Sequence, residues 1–126
     1  MLHRAAMCTV LVVDDDLFIT EYVSDVLREA GHAVIPGRIG KAVRADLEAG
    51  GYDLVVTDLN MPGMNGWDIA AWVKENRPGM PVIAISGRMV ADLEPGWISA
   101  FSAVLAKPLD EAQLIALVGQ LSPGMA

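Results

Sequence analysis

The stretch Thr9-Val10-Leu11-Val12-Val13-Asp14-Asp15-Asp16 decides the fold. Its first five residues are β-branched or aliphatic without alternation, the pattern of a strand covered on both faces of a parallel sheet. Three acids then end the run, and Asp16 stands where an N-cap would open a helix. Ile19, Val23, Val26, Leu27 and Ala30 follow at helical spacing as far as Gly31, a stop signal. A buried strand running straight into an amphipathic helix is the opening of a β-α-β unit, whose crossover is right-handed.

The alternation continues outward from there. Residues 32–35 read as a second strand ending at Pro36-Gly37, and residues 41–49 as a second helix closed by Gly50-Gly51. Residues 54–58 form a third strand; residues 66–76 form a helix with Ile69, Ala70 and Val73 inward. The turn Arg77-Pro78-Gly79 leads into a fourth strand over 81–85, and residues 103–106 make a fifth. A last helix over 110–121 points Leu114, Ile115 and Val118 inward, with Asp110 and Gln113 resembling a capping box. Between the fourth and fifth strands stands Glu94-Pro95-Gly96. Proline inside a helix costs ~3 kcal/mol or more but is tolerated at its first position, so a short helix beginning near Pro95 is expected after a long loop from Gly87 to Glu94. Five strands alternating with helices predict an α/β fold, a doubly wound parallel sheet that binds ligands at the carboxyl ends of its strands.

Composition narrows the function classes. A chain of 126 residues with 53% hydrophobic and 20% charged residues fits one folded domain, residues 1–126 with a core over about 9–121, and not a disordered chain. Nine basic residues scattered against sixteen acidic ones, a net charge of -7, disfavour direct nucleic-acid binding. Cys8 is the single cysteine, which excludes an intramolecular disulfide and a Cys-rich zinc framework. The apolar runs are strand-sized, well short of the ~20 residues of a membrane span. The run Met7 to Val13 ends in acids rather than in a signal-peptide cleavage site, so a cytoplasmic location is expected. Met1 at the start and a short tail suggest a free-standing protein.

Five polar residues converge on the predicted binding edge: Asp14 and Asp15 from the first strand, Asp58 from the third, Ser86 from the fourth and Lys107 from the fifth. Three clustered carboxylates repel one another, and without a counter-ion one holds a raised pKa. Oxygen ligands with no His or Cys among them suit Mg²⁺ or Mn²⁺ rather than zinc. On this basis Asp15→Asn is expected to raise the metal-free melting temperature by relieving repulsion. Singly, Lys107 reads as a solvated charge and Ser86 as a strand-end cap; their placement beside the acids favours a shared site. His3 and His32 read as surface or strand-entry residues without a role, and Cys8 as a small apolar residue. Trp67 and Trp72 flank the inward positions of their helix as half-exposed packing residues.

The motifs Val-Val-Asp-Asp-Asp at 12–16, Asp-Leu-Asn-Met-Pro-Gly-Met-Asn-Gly at 58–66, Pro-Val-Ile-Ala-Ile-Ser-Gly at 81–87 and Lys-Pro-Leu at 107–109 stand in order along the chain. Together they resemble the receiver domain of two-component response regulators, over Thr9 to Leu121. The resemblance implies a flavodoxin-like strand order of 2-1-3-4-5. It also implies that Asp58 accepts a phosphoryl group from the phosphohistidine of a histidine kinase or histidine phosphotransfer protein. Mg²⁺ would be held by Asp14, Asp15, Asp58 and the backbone carbonyl of Asn60, with Mn²⁺ as a substitute. Lys107 would offset phosphoryl charge, Ser86 would donate its hydroxyl, and Lys107-Pro108 would be cis. Leu17, Phe18 and the Pro108-Leu109 loop would form a docking patch. Signalling would then run through an unidentified downstream protein, with no turnover of an external substrate. Val104 departs from the pattern, because the family usually carries a reorienting Tyr or Phe there; Phe101 and Trp97 are the candidate substitutes. Two alternatives remain at this level. One is a haloacid dehalogenase-like phosphohydrolase using Asp14-x-Asp16, although Phe18 stands where that family expects Thr. The other is an unphosphorylated interaction module that keeps the fold alone.

Overall fold

The computed structural model describes residues 7–38, 42–87, 96 and 99–122. Its elements run β1 (Thr9–Val13), α1 (Leu17–Glu29), β2 (Ala33–Pro36), α2 (Ala42–Ala49), β3 (Leu54–Asp58), α3 (Gly66–Asn76), β4 (Val82–Ser86), β5 (Ala103–Ala106) and α4 (Glu111–Leu121). All four strand pairs are parallel, and the sheet order is β2-β1-β3-β4-β5. The direction of winding therefore reverses between β1 and β3. That is the crevice into which the ends of both strands open.

Side chains alternate across the sheet and build a core on each face. Val10, Val12, Leu54, Val56, Ile83, Ile85 and Leu105 pack with Val23, Val26 and Leu27 of α1 and Leu114 and Val118 of α4. On the opposite face Leu11, Val13, Val55, Val82 and Ala84 meet Val43 and Leu47 of α2 and Ile69, Ala70 and Val73 of α3. Each fully buried aliphatic side chain contributes roughly 1.5–3 kcal/mol. The exposed pairs Arg38–Asp46 at 2.7 Å and Arg44–Glu48 at 3.2 Å belong to a class worth about 0–1 kcal/mol, so the core and not the ion pairs holds the fold.

Caps fix where the helices begin. The Asp16 carboxylate accepts from the Phe18 N–H and opens α1, while Gly31, at φ 101°, turns the chain after it. Asp110 accepts from the Gln113 N–H at the start of α4. At α3 a full capping box forms between Asn65 and Asp68, a pattern that the sequence reading passed over.

Several expectations need correction. The second strand is displaced by one residue and runs through Pro36, which is tolerated because β2 is an edge strand. His32 stands at the entry to β2, as expected, but is buried: its Nδ1 accepts the Cys8 N–H at 3.1 Å. A backbone N–H only donates, so the ring is neutral with its proton on Nε2, and burial pushes its pKa down. Burial likewise pushes the Cys8 thiol up. Trp72 is buried beneath the Arg77 guanidinium, 5.4 Å from the ring centre, whereas Trp67 is half-buried. Ile115 turns outward at 38% exposure; Leu117 and Leu121 pack against the core in its place. The inward face of α1 includes Thr20 and Ser24 beside its aliphatic residues. The helix expected near Pro95, and the loop expected before it beyond Gly87, lie outside the described residues. No helix among the described residues is long and apolar enough to cross a membrane.

Candidate functional site

Each site residue is placed by the end of a strand. Asp14 follows β1 and is 4% exposed. Its Oδ1 accepts the Asp16 N–H at 2.8 Å, and its carbonyl accepts from the Thr20 hydroxyl at 3.2 Å, which ties it to the first turn of α1. Asp15 is exposed. Asp58 ends β3, is buried, and lies in register with Ile85, next to Ser86. The buried Thr57 hydroxyl donates to the Asp58 carbonyl at 2.9 Å. Ser86 is fully buried at the end of β4. The Lys107 N–H donates to the Ser86 carbonyl at 2.8 Å, continuing the β4–β5 ladder by one bond, and the Lys107-Pro108 peptide is cis.

These placements bring the expected residues together. Lys107 Nζ lies 3.7 Å from Asp14 Oδ2 and 3.6 Å from Asp58 Oδ2. One carboxylate oxygen from each of Asp14, Asp15 and Asp58 lies within 4.8 Å of the others. Asn60 is exposed in the loop after β3, and a backbone hydrogen bond links it to the Asp58 carboxylate.

Desolvation dominates the electrostatics. Burial, with smaller contributions from Asp58 and Asp15, lifts the Asp14 pKa to about 6 against the opposing pull of the Asp16 N–H and Lys107. Asp58 is also raised by burial, with Lys107 and backbone bonds from Asn60 and Leu59 opposing. Lys107 therefore offsets only part of the negative charge. Among the described residues Asp14 Oδ2 has no hydrogen-bond partner. A buried carboxylate oxygen without a donor, in a cluster of hard oxygen ligands, fits a divalent cation of the Mg²⁺ type.

Gly66 locks α3 to this site. Its N–H donates to the Leu59 carbonyl at 3.1 Å, and a Cβ at this position would stand 2.7 Å from the Asp58 carbonyl oxygen and 3.0 Å from Leu59 Cα. Because those obstacles are backbone, Gly66→Ala should cost about 1–3 kcal/mol, the range of overpacked sites. Urea denaturation of the variant is the check, and an unchanged midpoint would contradict the close approach.

Leu17 and Phe18 are 76% and 82% exposed, and Pro108 is exposed as well. Leu109 is half-buried against the core shared by α1 and α4, so the expected patch narrows to the first three. Asp16, the acid/base of the phosphohydrolase alternative, is occupied as the cap of α1. Thr20 and Thr57, whose hydroxyls donate to the backbone carbonyls of Asp14 and Asp58, carry only a faint mark in the sequence. Their signal is a hydroxyl four residues after the Asp16 cap and another beside the acid that ends β3.

A family model described as the response regulator receiver domain matches residues 10–119. The chain belongs to this family. The receiver is 31% identical to the transcriptional regulatory protein TcrA of Mycobacterium tuberculosis over 120 residues, covering 94% of this chain and 47% of TcrA. It is 32% identical to the DNA-binding transcriptional regulator NtrC of Rhizobium meliloti, covering 89% of this chain and 23% of NtrC. The chain thus spans less than half the length of these curated relatives. Among solved structures it resembles chemotaxis protein CheY4 of Vibrio cholerae with a TM-score of 0.78 at 24% identity, over 92% of this chain and 99% of that one. That likeness concerns the fold. TrrA of Thermotoga maritima, solved in complex with Mg(2+)-BeF, matches with a TM-score of 0.79 at 26% identity, over 90% of this receiver and 97% of TrrA. Receivers are signalling domains that work with histidine kinases or phosphotransfer proteins and bind Mg at their phosphorylation site.

Proposed function

We propose that this receiver accepts a phosphoryl group on Asp58 from a phosphohistidine donor and signals through protein contacts. The observation that carries the reading is Lys107 Nζ held between Asp58 and Asp14, beside a cluster of three carboxylates. In the transfer, an Asp58 carboxylate oxygen attacks phosphorus in line. The O–P bond forms as the P–N bond breaks, and the electron pair returns to the donor imidazole, which takes up a proton. Lys107 keeps Asp58 ionised for attack and then offsets charge on the phosphoryl oxygens. Ser86 supplies a hydroxyl donor to the same oxygens, assisted by backbone N–H groups near Asn60 and Gly87.

Asp14, Asp15, Asp58 and the Asn60 carbonyl would hold Mg²⁺, with Mn²⁺ as a substitute. The cation, when bound, supplies Lewis-acid stabilisation of the phosphoryl oxygens. The complex of TrrA with Mg(2+)-BeF supports this ligand choice. Residues 1–126 would act as one receiver unit in the cytoplasm, with slow loss of phosphate by hydrolysis and no turnover of an external substrate. Exposed Leu17, Phe18 and Pro108 beside the acids support docking of a histidine kinase or phosphotransfer protein there. The downstream partner would be a protein, since the net charge of -7 opposes direct contact of this domain with nucleic acid.

The test is incubation with acetyl phosphate and Mg²⁺. One phosphoryl group should be added and removed again by hydroxylamine, as befits an acyl phosphate, and EDTA should prevent the addition. Mg²⁺ should also raise the melting temperature, less so in Asp15→Asn. A melting temperature indifferent to Mg²⁺ in both proteins counts against the shared carboxylate site.

A further inference from the structure

Ala84 and Val104 are paired across β4 and β5 on the sheet face covered by α2 and α3. Both side chains are small, and two aromatic rings of the same core pack on that face. Trp67 and Phe101 meet edge to face, with ring centres 6.1 Å apart and planes at 60°. The chain connects each ring to the phosphorylation site, Trp67 through Gly66 beside Asp58 and Phe101 through the length of β5 that leads to Lys107. Trp67 follows Gly66, which lies against the Asp58 carbonyl too closely to admit a Cβ. Phe101 precedes Ser102, whose N–H donates to the Val82 carbonyl at 2.8 Å and whose hydroxyl accepts the Val82 N–H at 3.2 Å. Two residues on, the chain enters β5, the strand that delivers Lys107. By the two-residue alternation of a strand, Ser86 also lies on the Ala84 face.

We propose that the Trp67–Phe101 contact transmits phosphorylation of Asp58 to the surface formed by the start of α3 and residues 99–102, in place of a reorienting ring at Val104. This rests on the reading of Asp58 as phosphoacceptor. A phosphoryl dianion on Asp58 draws in the Lys107 ammonium and the Ser86 hydroxyl, which are the ends of β5 and β4. Val104 has a single branched χ1 and no ring to swing, so it follows its strand without changing state. The Trp67–Phe101 pair spans both moving parts. A shift between the Asp58 turn and β5 must alter its packing, because dense cores repack between discrete arrangements and do not deform continuously.

The test uses Mg²⁺ and beryllium fluoride as the phosphoryl mimic, with melting temperature reporting occupancy of the site. In the wild type, the mimic should raise the melting temperature and change amide hydrogen exchange at Ser102 by at least about threefold. In Phe101→Leu the rise in melting temperature should persist while the change at Ser102 is lost. If the mimic binds and Ser102 responds equally in both proteins, or in neither, the relay is overturned and the Asp58 reading stands. If the melting temperature does not rise, the Asp58 reading fails and the relay with it. A second measurement avoids disturbing the pair. In a Trp72→Phe/Trp97→Phe protein, Trp67 is the remaining indole, and its emission should shift when the mimic binds. Constant emission with a raised melting temperature overturns the proposal.

Discussion

Asp14→Asn is expected to make the metal-free receiver more stable at pH 7.5, by about 2–3 kcal/mol, because a shift of one pKa unit corresponds to 1.36 kcal/mol. The Asp14 pKa rises from 3.8 to about 6 in the folded protein, chiefly through burial. The folded state thus holds its proton more tightly than the unfolded state does, and ionisation of Asp14 opposes folding. That penalty is complete above about pH 6 and vanishes below the unfolded value of 3.8. Stability of the metal-free wild type should therefore gain from this group as pH falls from 7 to 4. The asparagine variant should lose that component. Its amide oxygen can still accept the Asp16 N–H, so the start of α1 is preserved. In melting temperature the difference is on the order of 10 °C, and Mg²⁺ should narrow it by stabilising the wild type. Equal melting temperatures at pH 7.5 would contradict the account. Asp15→Asn should act in the same direction with a smaller effect, because Asp15 is exposed.

Lys107→Ala should slow phosphorylation by acetyl phosphate by roughly 10²-fold or more, the usual cost of removing a preorganised charge partner from a developing phosphoryl transition state. Lys107 is the largest influence holding the Asp58 pKa down against burial. Without it the carboxylate is protonated over a wider range, so the residual rate should climb with pH to a higher midpoint than in the wild type. A single-turnover pH profile separates these effects from misfolding, since a folding defect lowers the amplitude without moving the midpoint. An unchanged rate and midpoint would remove Lys107 from the mechanism.

Most of the fold was legible because its three central strands, β1, β3 and β4, are buried on both faces and are written as largely aliphatic runs. Helix starts were legible where one side chain serves as the cap, as at Asp16 and Asp110. The order of strands was not: local periodicity carries no information about which strands pair, and it came from the resemblance. Neither was the rotation of α4 within one turn, which decides that Leu117 faces the core and Ile115 faces water. The strand-entry place of His32 was legible but its burial was not, because its partner is the backbone N–H of Cys8, and backbone groups leave no mark in a sequence. Within the site, the five polar residues were visible as strand-end positions. Which of the adjacent acids is buried was invisible, because it depends on the hydrogen bond that turns Asp14 inward to the Asp16 N–H.

The central claim is that Asp58 is the phosphoacceptor, and intact-mass spectrometry after incubation with acetyl phosphate and Mg²⁺ tests it most directly. The wild type should gain the mass of one phosphoryl group, and Asp58→Asn should gain none while Asp16→Asn still does. Full modification of the Asp58→Asn protein would contradict the assignment.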